Sequence, residues 1–543
     1  MVQRLIFFVF LIFLLPAVFP LVTLGFYEPH DLHHLADIYE MYRAIESGQI
    51  PPRWGPDFMF GSGYPLFNFY YLTPFYLGAL FFFIFGSLTL SFKMVFLVSA
   101  AAGFIFMFLF LREFFDRYSS FAGSVLFLYT PYRAVQIYVR GAMGEALALS
   151  FFPLVLFFLI KLYKEKSHRY LVFSAFSIAV LILTHNYFWV LAFPLSVLVL
   201  FGAGVRLGDL KRYVISFVFA IGLCFYWIVP ALVEQRYIGS KTPFLVIDHF
   251  PFIKQLILPS WGYGSSVWGA GDEISFQIGI VNLLIIALVC LFAAFNFRRL
   301  SKDKHRYFWF LMPLTFFVLV FFMNIRSYPI WRIVPFYDFI QFPWRLLMFT
   351  TFVTSFLTAL LINGLRRRTF FAVLLSIAAI ILNYSYFKPS KVVYKNDEVY
   401  LERFFESKDY SEDYLLLPVW SESRPKPFDR KYSIEKGRVT KAINKNNLEW
   451  YFVYDSLSNT NFEFRTLYFP GWGAKVDGAE IPIRPTETYG QIIVEVPAGE
   501  HRIDFFWSES GVRLISDLIS AFSIIVLIYI GVKRPRWRIL GLS

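Results

Sequence analysis

The sequence predicts a polytopic α-helical membrane protein of about twelve transmembrane helices, with a β-sandwich near its C-terminus held outside the cytoplasm. Three observations predict it. Of 543 residues, 57% are hydrophobic and 21% aromatic, well above the roughly 45–50% apolar content of soluble domains, and the apolar residues fall in runs of membrane-span length. The basic residues gather between alternate runs, as positive-inside sorting requires. Residues 388–512 switch to a period-two alternation of apolar and polar side chains broken by turn residues.

The first run, 5–24, lacks a small-x-small cleavage pattern before Tyr27 and reads as an uncleaved helix starting in the cytoplasm. Further runs lie at 92–111, 120–138, 145–162, 170–184, 187–205, 212–232, 276–297, 307–325, 345–364, 369–387 and 513–532. The apolar stretch 66–85 decides the threading. Counted as a crossing, it would put Lys161, Lys164 and Arg169, the basic cluster at 298–306, and Arg366, Arg367 and Arg368 outside. Read as a segment skimming the bilayer, it puts them all inside. Pro65, Pro74 and neighbouring tyrosines suit skimming.

The chain therefore divides into a membrane domain, 1–387, with a first external loop at 26–91, and an extracytoplasmic β-rich domain, 388–512. A final helix and basic cytoplasmic tail follow at 513–543. In the first loop Leu32, Leu35, Tyr39, Tyr42 and Ile45 form one helical stripe that ends at Ser47 and Gly48, as in an amphipathic helix lying on the membrane. The β-rich domain alternates at 462–468 and 492–496, with turns at Asp477-Gly478 and Pro497-Ala-Gly499. The net charge of +13 lies between spans and so faces anionic lipid, not nucleic acid. Two cysteines, Cys224 and Cys290, sit in apolar runs and exclude a disulfide framework.

Polar residues that could carry chemistry collect at the span ends on one face. Glu28, His30, Asp31, His33 and His34 follow the first span. Asp31 reads either as a helix N-cap or as a general base and metal ligand. The three imidazoles beside it could form a transition-metal site, although carboxylates without a further His/Cys set favour a hard cation such as magnesium or manganese. Arg140 ends the third span and Glu145 opens the fourth across Gly141-Ala-Met-Gly144. Either residue could simply snorkel to the interface. Together, on a turn whose glycines allow close approach, they could bind a phosphate and a divalent metal. His185 and Asn186 lie on the next turn of the same face. Arg345 lies in a later loop with Trp331 and Trp344, which read as interfacial anchors.

The pattern of an acidic residue after the first span, juxtamembrane helices, and a second acidic residue after the third span resembles the GT-C superfamily of membrane glycosyltransferases. More narrowly, His30-Asp31-Leu-His33, Pro52-Arg53-Trp54, Gly63-Tyr-Pro65-Leu-Phe-Asn-Phe-Tyr70 and Phe342-Pro-Trp-Arg345 resemble a family of membrane proteins labelled 6-pyruvoyl-tetrahydropterin synthase-related. The sequence shows neither a soluble pterin-binding domain nor a zinc-histidine set that would support pterin chemistry. A paired Asp-x-Asp of the GT-C kind is absent, and Glu28 and Asp31 flank His30 in its place.

The resemblance implies transfer of a sugar from a polyprenyl-phosphate donor to a glycan, lipid or protein acceptor outside the plasma membrane. It assigns catalysis to Asp31 and Glu145, and substrate binding to Arg140, His185, Arg345, Tyr64 and His30. A divalent metal would rest on Asp31, Glu145 and His33. Two other readings stay open: a polyprenyl-lipid or polysaccharide transporter, and a non-catalytic scaffold of the same fold. A transporter would be expected to carry ionisable residues deep inside several spans.

Overall fold

The computed structural model describes residues 2–239, 245–269, 271–334, 337–407 and 417–533; most of the expected basic tail lies outside them. Five helices are long and apolar enough to cross a membrane: Leu88–Arg112, Met143–Glu165, Pro343–Gly364, Arg368–Tyr386 and Gly511–Val532. Two bent pairs raise the number to seven if each is one span: Leu210–Leu223 with Phe225–Tyr237, and Arg306–Phe322 with Ile325–Trp331. Phe10–Val22, His168–Thr184, Phe188–Gly202 and Ile280–Phe295 lie where further crossings are expected, but are shorter.

The run at 120–138 is not one helix. Arg117–Leu128 starts on Asp116, whose carboxylate accepts the Tyr118 and Ser119 N–H groups, and stops before Pro131. The chain resumes as a short turn, Pro131–Ala134, and a π-helical turn, Val135–Arg140. Proline removes an N–H that a continuous helix would use, and π turns widen the spiral where a side chain must be re-aimed.

The buried Pro343–Gly364 helix forms the centre of the bundle. Its hydroxyls are satisfied within the helix: Thr354, Ser355 and Thr358 each donate to the carbonyl four residues earlier. Helices Leu88–Arg112 and Met143–Glu165 pack closely beside Gly103. A Cβ there would come within 2.5 Å of Arg133 Nη2. Arg133 is fully buried and bonds the Ala146 and Ser99 carbonyls and Ser150 Oγ. Pairing both terminal nitrogens of a guanidinium with carbonyl and hydroxyl oxygens makes the cation more tolerable in such a bundle.

The amphipathic helix of the first loop spans His34–Glu46 and packs on Thr73–Phe85. Those 13 residues extend only about 20 Å, short of the roughly 30 Å hydrocarbon core.

Nine strands follow: β1 (Tyr432–Ile434), β2 (Arg438–Asn444), β3 (Glu449–Ser456), β4 (Thr460–Leu467), β5 (Trp472–Val476), β6 (Ala479–Ile481), β7 (Arg484–Pro485), β8 (Gln491–Val496) and β9 (Gly499–Trp507). They form two antiparallel sheets in the orders β1-β4-β8-β7 and β2-β3-β9-β5-β6. Phe462 and Phe464 of one sheet meet Phe452 and Phe505 of the other, with Phe464 and Phe505 stacked at 4.5 Å. This is the sandwich core that the alternation foretold. The expected Asp477-Gly478 turn joins β5 to β6, with both residues at positive φ, as a tight two-residue hairpin requires.

The sandwich is docked on the first loop. Trp54 packs among Trp472 and Trp507, the Leu467 N–H bonds the Ser62 carbonyl, and Lys431 donates to the Gly61 carbonyl. Beneath it, Arg53 pairs with Asp517 at 2.8 Å, while Asn68 and Arg513 both donate to Glu234. One polar clasp thus joins the first loop, the 225–237 segment and the last helix.

Candidate active site at the meeting of two acidic turns

The two turns singled out in the sequence touch. The Asp31 N–H bonds the Arg140 carbonyl at 2.8 Å, and the His30 N–H bonds the Val139 carbonyl at 3.1 Å. Gly141 makes the approach possible: it ends the π turn at φ +69°, and a Cβ on it would lie 2.5 Å from Pro29. Gly144 serves a different neighbour from the one expected. Its open side is filled by the Tyr71 ring, 2.7 Å from where a Cβ would stand, so the glycine makes room for an aromatic side chain.

Glu145 is buried at the centre. Arg140 Nη1 lies 2.6 Å from one of its oxygens, Arg345 Nε lies 2.7 Å from the other, and Tyr132 Oη donates at 3.1 Å. With both oxygens engaged, Glu145 fixes two guanidinium groups and is not brought to a metal. The three groups together carry a net charge of +1. Arg140 also lies over the Trp344 ring at 4.8 Å, and Arg345 over Tyr187 and Phe342 at 5.1 and 4.7 Å. Trp344 is therefore a buried floor for Arg140. Trp331 is likewise no interfacial anchor: it is buried, and its indole N–H bonds the Phe322 carbonyl and Ser327.

Asp31 is not the N-cap of the amphipathic helix. The residue at that position is His33, without a side-chain cap, and the Asp31 carboxylate makes no hydrogen bond or ion pair among the described residues. It is left free beside the arginine cluster.

His185 is buried, stacked on Tyr71 at 5.4 Å and edge-on to Tyr187 at 4.4 Å. Among the described residues, His185 Nδ1, Tyr187 Oη and Trp344 Nε1 have no hydrogen-bond partner. Buried polar groups are normally paired, so three open ones against the arginine cluster mark where a polar ligand would bind.

Two expected binding residues stand elsewhere. His30 is exposed and donates Nε2–H to the Tyr263 carbonyl at 2.8 Å, tying down the loop that carries Tyr263. Tyr64 is buried within the first loop, paired through its backbone with Gly55. The loop tyrosine that reaches the site is Tyr71.

The metal ligands are also regrouped. Among the described residues, the set whose donor atoms lie close enough is His33, His34 and Asp37, all within 4.8 Å of one another. Asp31 and Glu145 are not in it, because Glu145 is spent on arginines and Asp31 lies a turn earlier. His34 Nδ1 is 2.9 Å from Asp37, and Tyr71 Oη is 3.2 Å from the opposite ring nitrogen, where it fixes the ring's orientation. Burial lowers both imidazoles to about 4 and raises Asp37 to about 7. The rings are thus neutral near pH 7, the form that binds metal. Asp37, Tyr71, Tyr132 and Tyr187 escaped the sequence reading. Only Asp37 carried a readable signal, its spacing of three and four residues from the histidines.

A model of the 6-pyruvoyl-tetrahydropterin synthase related domain, described as a membrane protein, matches residues 67–389, more than half of the chain. The chain belongs to that family. Within the 6-pyruvoyl-tetrahydropterin synthase-related family region fall Arg140, Glu145, His185 and Arg345, while Asp31, His33, His34 and Asp37 precede it. An uncharacterized protein of Lactococcus lactis subsp. cremoris (strain MG1363) is 22% identical over 300 residues, covering 52% of this chain. The chain spans about half (48%) of that relative's length.

Solved membrane glycosyltransferases of the GT-C type show partial likeness. Arabinofuranosyltransferase AftD from Mycobacteria aligns with 70% of this chain and 26% of its own, at 17% identity and TM-score 0.46. AglB, the Archaeoglobus fulgidus oligosaccharyltransferase, solved with an inhibitory peptide and a dolichol-phosphate, aligns with 78% and 61%, at 16% and 0.44. ArnT from Cupriavidus metallidurans, bound to undecaprenyl phosphate, aligns with 68% and 62%, at 14% and 0.39.

Proposed function

We propose that this member of the family is a membrane glycosyltransferase that moves a sugar from a polyprenyl-phosphate carrier to an acceptor hydroxyl on the extracytoplasmic side. The observation that carries this reading is the pairing of an unengaged carboxylate, Asp31, with two buried arginines locked on Glu145.

In the proposed reaction Asp31 takes the proton of the acceptor hydroxyl as its oxygen attacks the anomeric carbon. The bond from that carbon to the phosphate oxygen breaks, and the lipid phosphate leaves with the electron pair. Arg140 and Arg345 meet that charge with guanidinium groups already oriented by Glu145, so little reorganisation is needed as it develops. One-step displacement inverts the anomeric configuration. His185, Tyr187 and Trp344 offer their unpaired polar atoms to the sugar or phosphate.

A divalent metal fits His33, His34 and Asp37. Two imidazoles and one carboxylate suit zinc or manganese better than magnesium, which prefers oxygen ligands. Bound there, it would supply positive charge and Lewis acidity.

The test uses purified full-length protein with undecaprenyl- and dolichyl-phosphate monosaccharides, following release of free lipid phosphate in a crude envelope extract. Wild type is expected to release it. Asp31→Asn is expected to abolish release while binding undecaprenyl phosphate as wild type does. Full release by Asp31→Asn would remove that residue from the chemistry. Failure of wild type to bind any lipid phosphate would overturn the reading itself.

A further inference from the structure

At the far end of the central helix from Arg345 lies a cavity of about 950 Å³. Arg345 precedes the 18-residue helix Leu347–Gly364, which spans roughly 27 Å. Beyond its end, Arg366, Arg367 and Arg368 stand at the cavity mouth. The two sites are thus separated by about the thickness of a hydrocarbon core.

The lining includes five cationic side chains, from Arg299, Lys304 and the three arginines, against two carboxylates. Both carboxylates are already engaged: Asp116 lies 3.6 Å from Arg368 and caps a helix, and Asp303 accepts the His305 N–H at 2.7 Å. Arg299, Lys304, Arg366 and Arg367 have no carboxylate partner among the described residues. Aromatic side chains form the wall. Trp309 stacks on Phe292 at 5.2 Å, and Phe370 is exposed on the outer surface of the next helix.

Charge that only sets membrane orientation needs no cavity. Here four cations without a carboxylate partner among the described residues line one, beside aromatic side chains at the end of the central helix. We infer that this cavity binds the phosphate of an anionic phospholipid headgroup, with the acyl chains lying along the Phe370 side. The arginines would contact phosphate oxygens, and two of them on adjacent residues can do so together. The site is independent of the transfer reaction proposed above.

The experiment places full-length protein in nanodiscs and measures retained lipid by native mass spectrometry, with phosphatidylglycerol and phosphatidylcholine as probes and inorganic pyrophosphate as a soluble competitor. One variant is Arg366→Gln with Arg367→Gln. The control, Arg298→Gln with Lys302→Gln, removes the same charge from the same face outside the cavity lining. Wild type should prefer phosphatidylglycerol, and the cavity variant should lose about tenfold or more of that preference, against less than about twofold for the control. Equal losses in both variants, or none in the cavity variant, would overturn the inference. So would complete displacement by pyrophosphate with no preference between the lipids, which would make this a soluble-anion site.

Discussion

At the scale of single residues, the site turns on one carboxylate that holds two cations and another that holds none. Glu145→Gln should keep the shape of the side chain but remove the charge that pairs with Arg140 and Arg345. Loss of one preorganised electrostatic element typically costs about 10²–10³ in turnover, and binding of undecaprenyl phosphate should weaken too, since the arginines lose their fixed positions. Steady-state release assays with equilibrium binding would show both effects; normal turnover would mean that the arginines do not act through Glu145. These roles were only half legible in the sequence. That the Asp31 and Arg140–Glu145 turns lie at span ends can be read from the sequence. That Asp31 is free and Glu145 saturated cannot, because the saturating partners Tyr132 and Arg345 lie 13 residues before and 200 residues after Glu145.

At the scale of elements, the dock between the sandwich and the first loop contains its own titratable group. Lys431 donates to the Gly61 carbonyl and lies 5.4 Å from the Phe464 ring, and burial lowers its ammonium to about 7. In an unfolded chain the same group titrates near 10.4. Below pH 7 both states are protonated and the fold bears the whole cost of the buried charge. Between 7 and about 10 the unfolded state binds more protons, so stability rises with pH. Thermal melts at pH 7 and pH 9 should show wild type gaining relative to Lys431→Met, with the difference flattening below pH 7. Parallel curves would remove the effect. The sandwich itself was readable from its alternation and its Asp477-Gly478 turn, since both are local signals. The break at Pro131 is masked in the sequence, because the hydropathy of 120–138 runs on through it, and the π turn that ends at Arg140 leaves no periodic mark.

At the scale of the whole molecule, the first loop, the 225–237 segment and the last helix are held by the Arg53, Asn68, Glu234, Arg513 and Asp517 network, and Arg513 also donates to the Pro470 carbonyl of the β-rich domain. Arg513 and Glu234 are both buried. Removing one member of a buried pair strands the other charge, typically at about 3–5 kcal/mol. Glu234→Ala should therefore lower the melting temperature in detergent; an unchanged melt would mean that solvent compensates the stranded Arg513. Threading is tested in a cysteine-free background. Leu457→Cys, fully exposed on the sandwich, should react with an impermeant maleimide in intact cells, and Lys302→Cys only after permeabilisation. Labelling of both from outside would break the assignment of faces. The meeting of the Asp31 and Arg140 turns at one membrane end does not depend on that outcome.

The same network has a consequence for biosynthesis. Arg53 and Glu234 leave the ribosome long before Arg513 and Asp517, which neutralise them from the last helix. Until that helix is inserted, the nascent chain carries two mismatched ions at the bilayer edge. A chain truncated ahead of residue 511 would keep that mismatch, and in pulse-chase labelling it should be cleared faster than the full-length chain; equal lifetimes would mean that the two ions are tolerated unpaired.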